Sequence, residues 1–261
     1  MHMFAQFDLL HGIAGFLVGI LVGMTGVGGG SLMTPVLVLL FGVAAQTAVG
    51  TDLLYAATTK LAGTAVHGWR ETVDWRIVRR LAAGSIPSAC VALVILSHFG
   101  RIGKSAEHVI LLTLGGMLVV TAIAVFFQRR LIAIALAREP LEPRSAGVST
   151  ILLGALIGLL VSISSVGAGA IGVTALLMLY PRLPINRVVG SDIAHAVPLT
   201  LVSGLGHWLI GDVNLVLLAN LLIGSIPGVI IGSLISTRAP DTLLRPALAV
   251  VMMASGIKLL I

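Results

Sequence analysis

Gly23-Met24-Thr25-Gly26-Val27-Gly28-Gly29-Gly30-Ser31 interrupts an apolar run from about residue 9 to residue 42. A helix spanning the hydrocarbon core needs about 20 residues. The whole run exceeds one ordinary pass, and neither piece beside the glycines reaches that length. The run therefore crosses once as a broken helix or turns back as a hairpin. A second run, 147–180, carries Ser164-Ser165-Val166-Gly167-Ala168-Gly169-Ala170 at the corresponding place.

The rest of the chain fits a bilayer. Of 261 residues, 57% are hydrophobic and 10% charged, and the mean hydropathy is +1.10. A soluble domain carries about a quarter charged residues, so a cytosolic enzyme, a secreted domain and a disordered chain are excluded. The 31 glycines lie largely within apolar stretches, as in closely packed transmembrane helices rather than alternating barrel strands. The net charge of +6 reads as cytoplasmic loop charge, with no nucleic-acid partner. The single cysteine, Cys90, excludes an internal disulfide or cysteine metal cluster and is expected to be a small buried hydrophobe. No basic n-region or small-residue cleavage site marks the first residues, so no removable signal peptide is expected.

Further apolar segments fall at about 52–69, 77–98 and 106–127, then at 191–210, 213–236 and 243–261. The charged, proline-containing stretch from Gln128 to Ser145 divides them. The halves repeat. At an offset of 139, Gly15 and Gly19 meet Gly154 and Gly158, and Val27-Gly28-Gly29-Gly30 meets Val166-Gly167-Ala168-Gly169. At an offset of 140, Gly50-Thr51-Asp52 meets Gly190-Ser191-Asp192, and His67 meets His207. In that register Gly84-Ser85-Ile86-Pro87 recurs as Gly224-Ser225-Ile226-Pro227. The expected units are an N-terminal membrane repeat (1–127), a cytoplasmic linker (128–146) and a C-terminal membrane repeat (147–261).

Basic residues orient the repeats. If each first segment turns back, one face collects twelve: Arg70, Arg76, Arg79, Arg80, Arg129, Arg130, Arg138, Arg144, Arg182, Arg187, Arg238 and Arg245. The other face keeps Arg101, Lys104 and Lys258. A single crossing splits the same residues nine to six. The hairpin is favoured. Each half then crosses an odd number of times, so the second is inverted. The expected fold is an all-α polytopic membrane protein of two inverted-topology repeats, each a glycine-broken hairpin followed by three transmembrane helices. The linker is cytoplasmic and both termini lie outside.

Inverted repeats with broken segments place a transport site near the midplane. The half-helices beginning at Gly28, Gly29, Gly30 and Ser31, and at Gly167, Ala168, Gly169 and Ala170, offer unpaired N–H groups and a partly positive dipole end to an anion. Thr25, Ser164 and Ser165 add hydroxyl donors. Lys60, about 12 Å along a helix from Asp52, would sit near mid-depth at a cost of about 2.5–3.5 kcal/mol. It is read as a counter-charge for an anion, with pairing to an acid such as Asp52 as the alternative. Thr200 stands at its repeat position. His67 and His207 are proton-coupling candidates, though interfacial anchoring beside Trp69 and Trp208 is the favoured reading. Asp52 and Asp192 follow Thr51 and Ser191 as helix caps would. Gly224, Gly228 and Gly232, echoed by Gly84 and Ser88, read as a packing surface. His195 has no assignment, Pro198 is expected to kink its helix, and no metal-ligand spacing is found.

The glycine run 23–30 with Pro35, Gly50-Thr51-Asp52, His67, Val73-Asp74-Trp75 and their second copies at 162–169, 190–192, 207 and 213–215 resemble the sulfite exporter TauE/SafE family (TSUP permeases). The resemblance spans about residues 9 to 261. It implies a bacterial or archaeal inner-membrane permease for small sulfur-containing anions such as sulfite, sulfonates or sulfoacetate, without cofactors. Ala168 replaces Gly29, and Thr174 replaces Pro35, so the half-sites need not be equivalent. With one cysteine where the thiosulfate-uptake relatives use several, thiosulfate is disfavoured. The expected partners are a sulfur oxyanion or organosulfonate and the lipid bilayer, with homo-oligomerisation open. The expected function is alternating-access transport rather than catalysis. An anion-selective channel and an intramembrane enzyme are the alternatives.

Overall fold

The computed structural model describes residues 8–25, 30–67, 73–99, 104–137, 142–167, 169–235 and 241–261. These residues form eleven helices and no strand: α1 (Leu9–Thr25), α2 (Gly30–Leu39), α3 (Ala45–His67), α4 (Trp75–Phe99), α5 (Lys104–Phe126), α6 (Gln128–Leu136), α7 (Pro143–Ser164), α8 (Ala170–Leu179), α9 (Ile185–Ile210), α10 (Leu215–Ile235) and α11 (Asp241–Leu260). Five contain apolar stretches long enough to cross a bilayer: Trp75–His98, Glu107–Phe126, Arg144–Ser164, Ile185–Ile210 and Leu215–Ile235.

Each glycine-broken run is a long arm followed by a short one. The ten residues of α2 and of α8 rise about 15 Å, half the hydrocarbon core. The tip after α7 turns through Ser165 at φ 60° and Gly167 at φ 122°, and Gly169 precedes α8 at φ 132°. Conformations of this kind suit glycine, which explains its presence at 167 and 169. The linker is not all loop, since its first part forms α6, which packs against α8.

Helix pairing runs between the halves. The α1 helix packs along α10 and α4 along α7, while α3 crosses α9 and α5 lies against α11. Glycines set the first two contacts. A Cβ on Gly15, Gly19 or Gly23 would collide with backbone at Leu221, Ser225 and Val229 or Ser233. On α10, one on Gly224, Gly228 or Gly232 would collide with backbone at Gly12, Phe16 and Ile20. Gly84, Gly154 and Gly158 make the same contacts between α4 and α7. Without a hydrophobic drive between helices in lipid, such backbone approach is the main source of packing energy. The expected packing surface therefore holds, and its partner is the long hairpin arm of the opposite half.

Three expectations are corrected. Asp52 and Asp192 are not caps, because α3 and α9 begin at Ala45 and Ile185 and both carboxylates lie well inside. Capping of this kind is found on the next helices instead: Asp74 caps α4, its Oδ1 accepting from the N–H groups of Arg76 (3.0 Å) and Ile77 (3.4 Å), and Asn214 caps α10, its Oδ1 accepting from Leu217 N–H (3.0 Å). Cys90 is exposed on α4 rather than buried. His207 is fully buried, not an interfacial anchor, although its neighbour Trp208 is exposed. The α9 helix runs on through Pro198.

Candidate functional site

The site forms where α3 and α9 cross. Gly50 abuts the Cβ of His207 and the carbonyl of Asp212, and Gly204 abuts Leu54, so the two helices run antiparallel. That register brings Lys60 level with Pro198, one turn from His195. Lys60 is 9% exposed, Asp52 0%, Asp192 1% and His195 1%. Lys60 lies within electrostatic reach of both carboxylates, and its influence extends to His195. Lys60 is thus buried between an acid of each half, with Asp52 about 12 Å from it along α3 and Asp192 on its other side on α9.

Asp52 is held by hydroxyls. Thr34 Oγ1 of α2 and Ser165 Oγ of the second hairpin tip both donate to its Oδ2, Ser165 at 2.8 Å, while Oδ1 has no partner among the described residues. The tip of one half therefore touches the acid of the other. Asp192 differs. Neither of its oxygens has a hydrogen-bond partner among the described residues, and its carboxylate lies against Gly172 in the first turn of α8.

Around this centre, hydrogen bonds recur at the 140-residue offset. Asn214 N–H donates to Thr51 Oγ1 at 3.1 Å, and Asp74 N–H donates to Ser191 Oγ at 2.8 Å. Ser225 Oγ donates to the Tyr55 hydroxyl at 2.8 Å, and Ser85 Oγ pairs with His195 Nε2 at 2.7 Å. Tyr55 and His195 occupy equivalent positions, as do Ser225 and Ser85. The repeated Gly-Ser-Ile-Pro block thus does two jobs: its glycine packs and its serine holds a ring side chain of the opposite half. Sequence reasoning missed the second job and left His195 unassigned. The ring residue Tyr55 at the repeat position was the available signal.

The remaining expected site residues are distributed as follows. Gly30 opens α2, and Ser31 is buried beside it. Ser164 Oγ donates to Leu160 O (2.7 Å) and accepts from Val166 N–H (3.2 Å), so it builds the tip. Gly167 sits beneath Met117 of α5, and Gly169 and Ala170 start α8. Gly28, Gly29 and Ala168 lie outside the described residues, as do the side chains of Thr25, His67 and Ala170. His207 Nε2 donates to Ser162 O at 2.8 Å, and its Nδ1 is 3.3 Å from Asp212 Oδ2. It is thus placed between the end of α7 and the loop after α9.

A cavity of about 310 Å³ lies where α4, α7 and the end of α8 meet, lined in part by Asp74, Arg76, Arg80, Tyr180 and Arg182. Arg80 Nη1 donates to the Tyr180 hydroxyl at 3.3 Å, and Tyr180 also bonds Thr150 Oγ1 at 2.7 Å. Three guanidinium groups give this mouth a positive field.

Comparison with known proteins agrees with the membrane architecture. A family model described as Sulfite exporter TauE/SafE matches residues 11–259. The probable membrane transporter protein YjnA of Bacillus subtilis is 40% identical over 252 residues, covering 95% of this chain and 98% of that protein. YdhB, another probable membrane transporter protein of that organism, is 29% identical over 252 residues, 94% of this chain and 97% of its own length. The probable membrane transporter protein MJ0441 of Methanocaldococcus jannaschii is 28% identical over 205 residues, 76% and 70% of the two chains. No solved structure matches significantly. The chain belongs to the sulfite exporter TauE/SafE family.

Proposed function

We propose that the protein is a secondary transporter of small sulfur-containing anions, with sulfite, sulfonates and sulfoacetate as the candidate cargo. Two inverted repeats would alternate access to a site between α3 and α9. The observation that carries this reading is Lys60, a buried cation where the two halves cross, with short half-helices starting nearby. An anion there would take charge from Lys60 and backbone N–H groups from the starts of α2 and α8, the residues Gly28 to Ser31 and Gly167 to Ala170. Ser165 is committed to Asp52 in the observed state, so its hydroxyl would be released only as the tip moves.

The cross-half pairing of helices and the hydrogen bonds repeated at one offset support the inverted arrangement. They also suggest how it moves, since each long hairpin arm is zipped by glycines to a helix of the other half and would travel with it. The arginine-lined mouth would raise the local concentration of anions at the face we assign to the cytoplasm. In this reading the chain resides in the inner membrane, with linker 128–146 cytoplasmic and both termini outside.

Reconstitution into liposomes tests the proposal. Uptake of sulfite, sulfoacetate or a simple sulfonate is expected to saturate with concentration. Absence of uptake by folded protein for every one of these anions overturns the proposal, and non-saturating conductance would make the protein a channel.

A further inference from the structure

The centre carries a charge problem that an anion carrier has to solve. Among the described residues, Lys60 is the one buried lysine or arginine, and it lies within electrostatic reach of both Asp52 and Asp192. With both acids ionised the centre is negative before any anion arrives, and burial in low dielectric makes that repulsion strong. Either a cation accompanies the cargo or one acid is protonated.

The hydrogen-bond inventory distinguishes the two acids. An ionised carboxylate is an acceptor only, and Asp52 Oδ2 accepts from both Thr34 and Ser165. Asp192 receives no such donor, and both its oxygens are orphaned among the described residues. Its carboxylate also lies in the first turn of α8, against Gly172. An ionised acid there competes with a bound anion for the same positive helix end, whereas a protonated one leaves that end to the cargo. One turn along α9, on the same face, His195 presents an Nδ1 with no partner among the described residues, while its Nε2 is tied to Ser85.

We infer that Asp192 is a proton-binding site of this transporter, with His195 beside it as the relay group. The proton's role in cargo movement rests on the transport reading, but the site itself does not. The group facing Asp192 from α3 is Lys60, with Asp52 on the far side of that lysine, and His195 is its neighbour on α9. From α4 comes Ser85, which bonds His195 and does not titrate, and from α8 the Gly172 backbone. The sequence alone pointed instead to His67 and His207. The His207 ring is already held by Ser162 and Asp212, away from Lys60.

Infrared difference spectroscopy of purified protein during a pH titration tests this directly. The wild-type chain is expected to show the carbonyl band of a protonated carboxylic acid that disappears as pH rises. Asp192→Asn should remove the band, Asp52→Asn should keep it, and Asp192→Glu should shift it, which covers an Asn variant that fails to fold. A missing band, or one lost in Asp52→Asn and kept in Asp192→Asn or unshifted in Asp192→Glu, overturns the inference. Protein that shows the band but transports no sulfur anion overturns the transport reading and leaves the proton site standing.

Discussion

Asp52 and Asp192 occupy the same place in the two repeats and live in different surroundings. Asp52 is clasped by a threonine of its own half-helix and a serine from the opposite hairpin tip. Asp192 has a glycine in front of it and no donor among the described residues. The repeat keeps the acid, a hydroxyl residue before it (Thr51, Ser191) and a ring side chain three positions later (Tyr55, His195). It changes the groups that answer the acid: Lys60 becomes Thr200, and Thr34, which donates to Asp52, becomes Val173. Duplication gives a symmetric frame, and the departures from symmetry are where the two acids acquire different chemistry.

Lys60 should be the most sensitive point, because it serves both acids. Lys60→Met is expected to abolish uptake and to destabilise by about 3–5 kcal/mol, as removal of one partner of a buried pair does, read by thermal unfolding in detergent. Adding Asp192→Asn should recover more of that loss than adding Asp52→Asn. Equal recovery would mean that the acids are equivalent and would remove the contrast.

Smaller changes should separate the two acids. Ser165→Ala removes a donor from Asp52 and is expected to cost about 1.5–3 kcal/mol, the usual range for hydrogen bonds to charged groups. Gly172→Ala acts on Asp192 by crowding and is expected to cost about 1–3 kcal/mol. Raising the pH should deepen the Gly172→Ala effect and leave the Ser165→Ala effect unchanged, if Asp192 is the acid that titrates. Ser85→Ala and Ser225→Ala, the equivalent bonds to His195 and Tyr55, should each cost about 0.6 kcal/mol, typical between membrane helices. A large difference between these two would show that the His195 contact is more than packing.

Much of the frame was legible in sequence. The glycine-broken runs, the 140-residue offset, the Gly-Ser-Ile-Pro block and the small-residue stripe all describe local geometry, which sequence encodes directly. Lys60 was legible because a charge inside an apolar run is costly wherever the run lies. The two acids were misread because Thr51-Asp52 and Ser191-Asp192 look like caps, while the helices begin a turn or more earlier at residues with no capping chemistry. The caps of the following helices α4 and α10, Asp74 and Asn214, were visible only as matched positions. Contacts such as Ser165 to Asp52 and Ser85 to His195 join opposite halves, so they depend on how the helices cross. Cys90 was misplaced for a related reason: in a bilayer, an apolar position has two apolar destinations, the core and the lipid.

Halves of opposite orientation place equivalent positions on opposite faces of the membrane. Trp75 and Leu215 begin α4 and α10, 140 residues apart, and are 51% and 53% exposed. In a Cys90→Ser background, single cysteines at these positions would be treated with a membrane-impermeant thiol reagent on intact cells and again after permeabilisation. Leu215→Cys should react in intact cells and Trp75→Cys only after permeabilisation. Labelling of both from the same side would contradict the inverted arrangement and the transport site built on it.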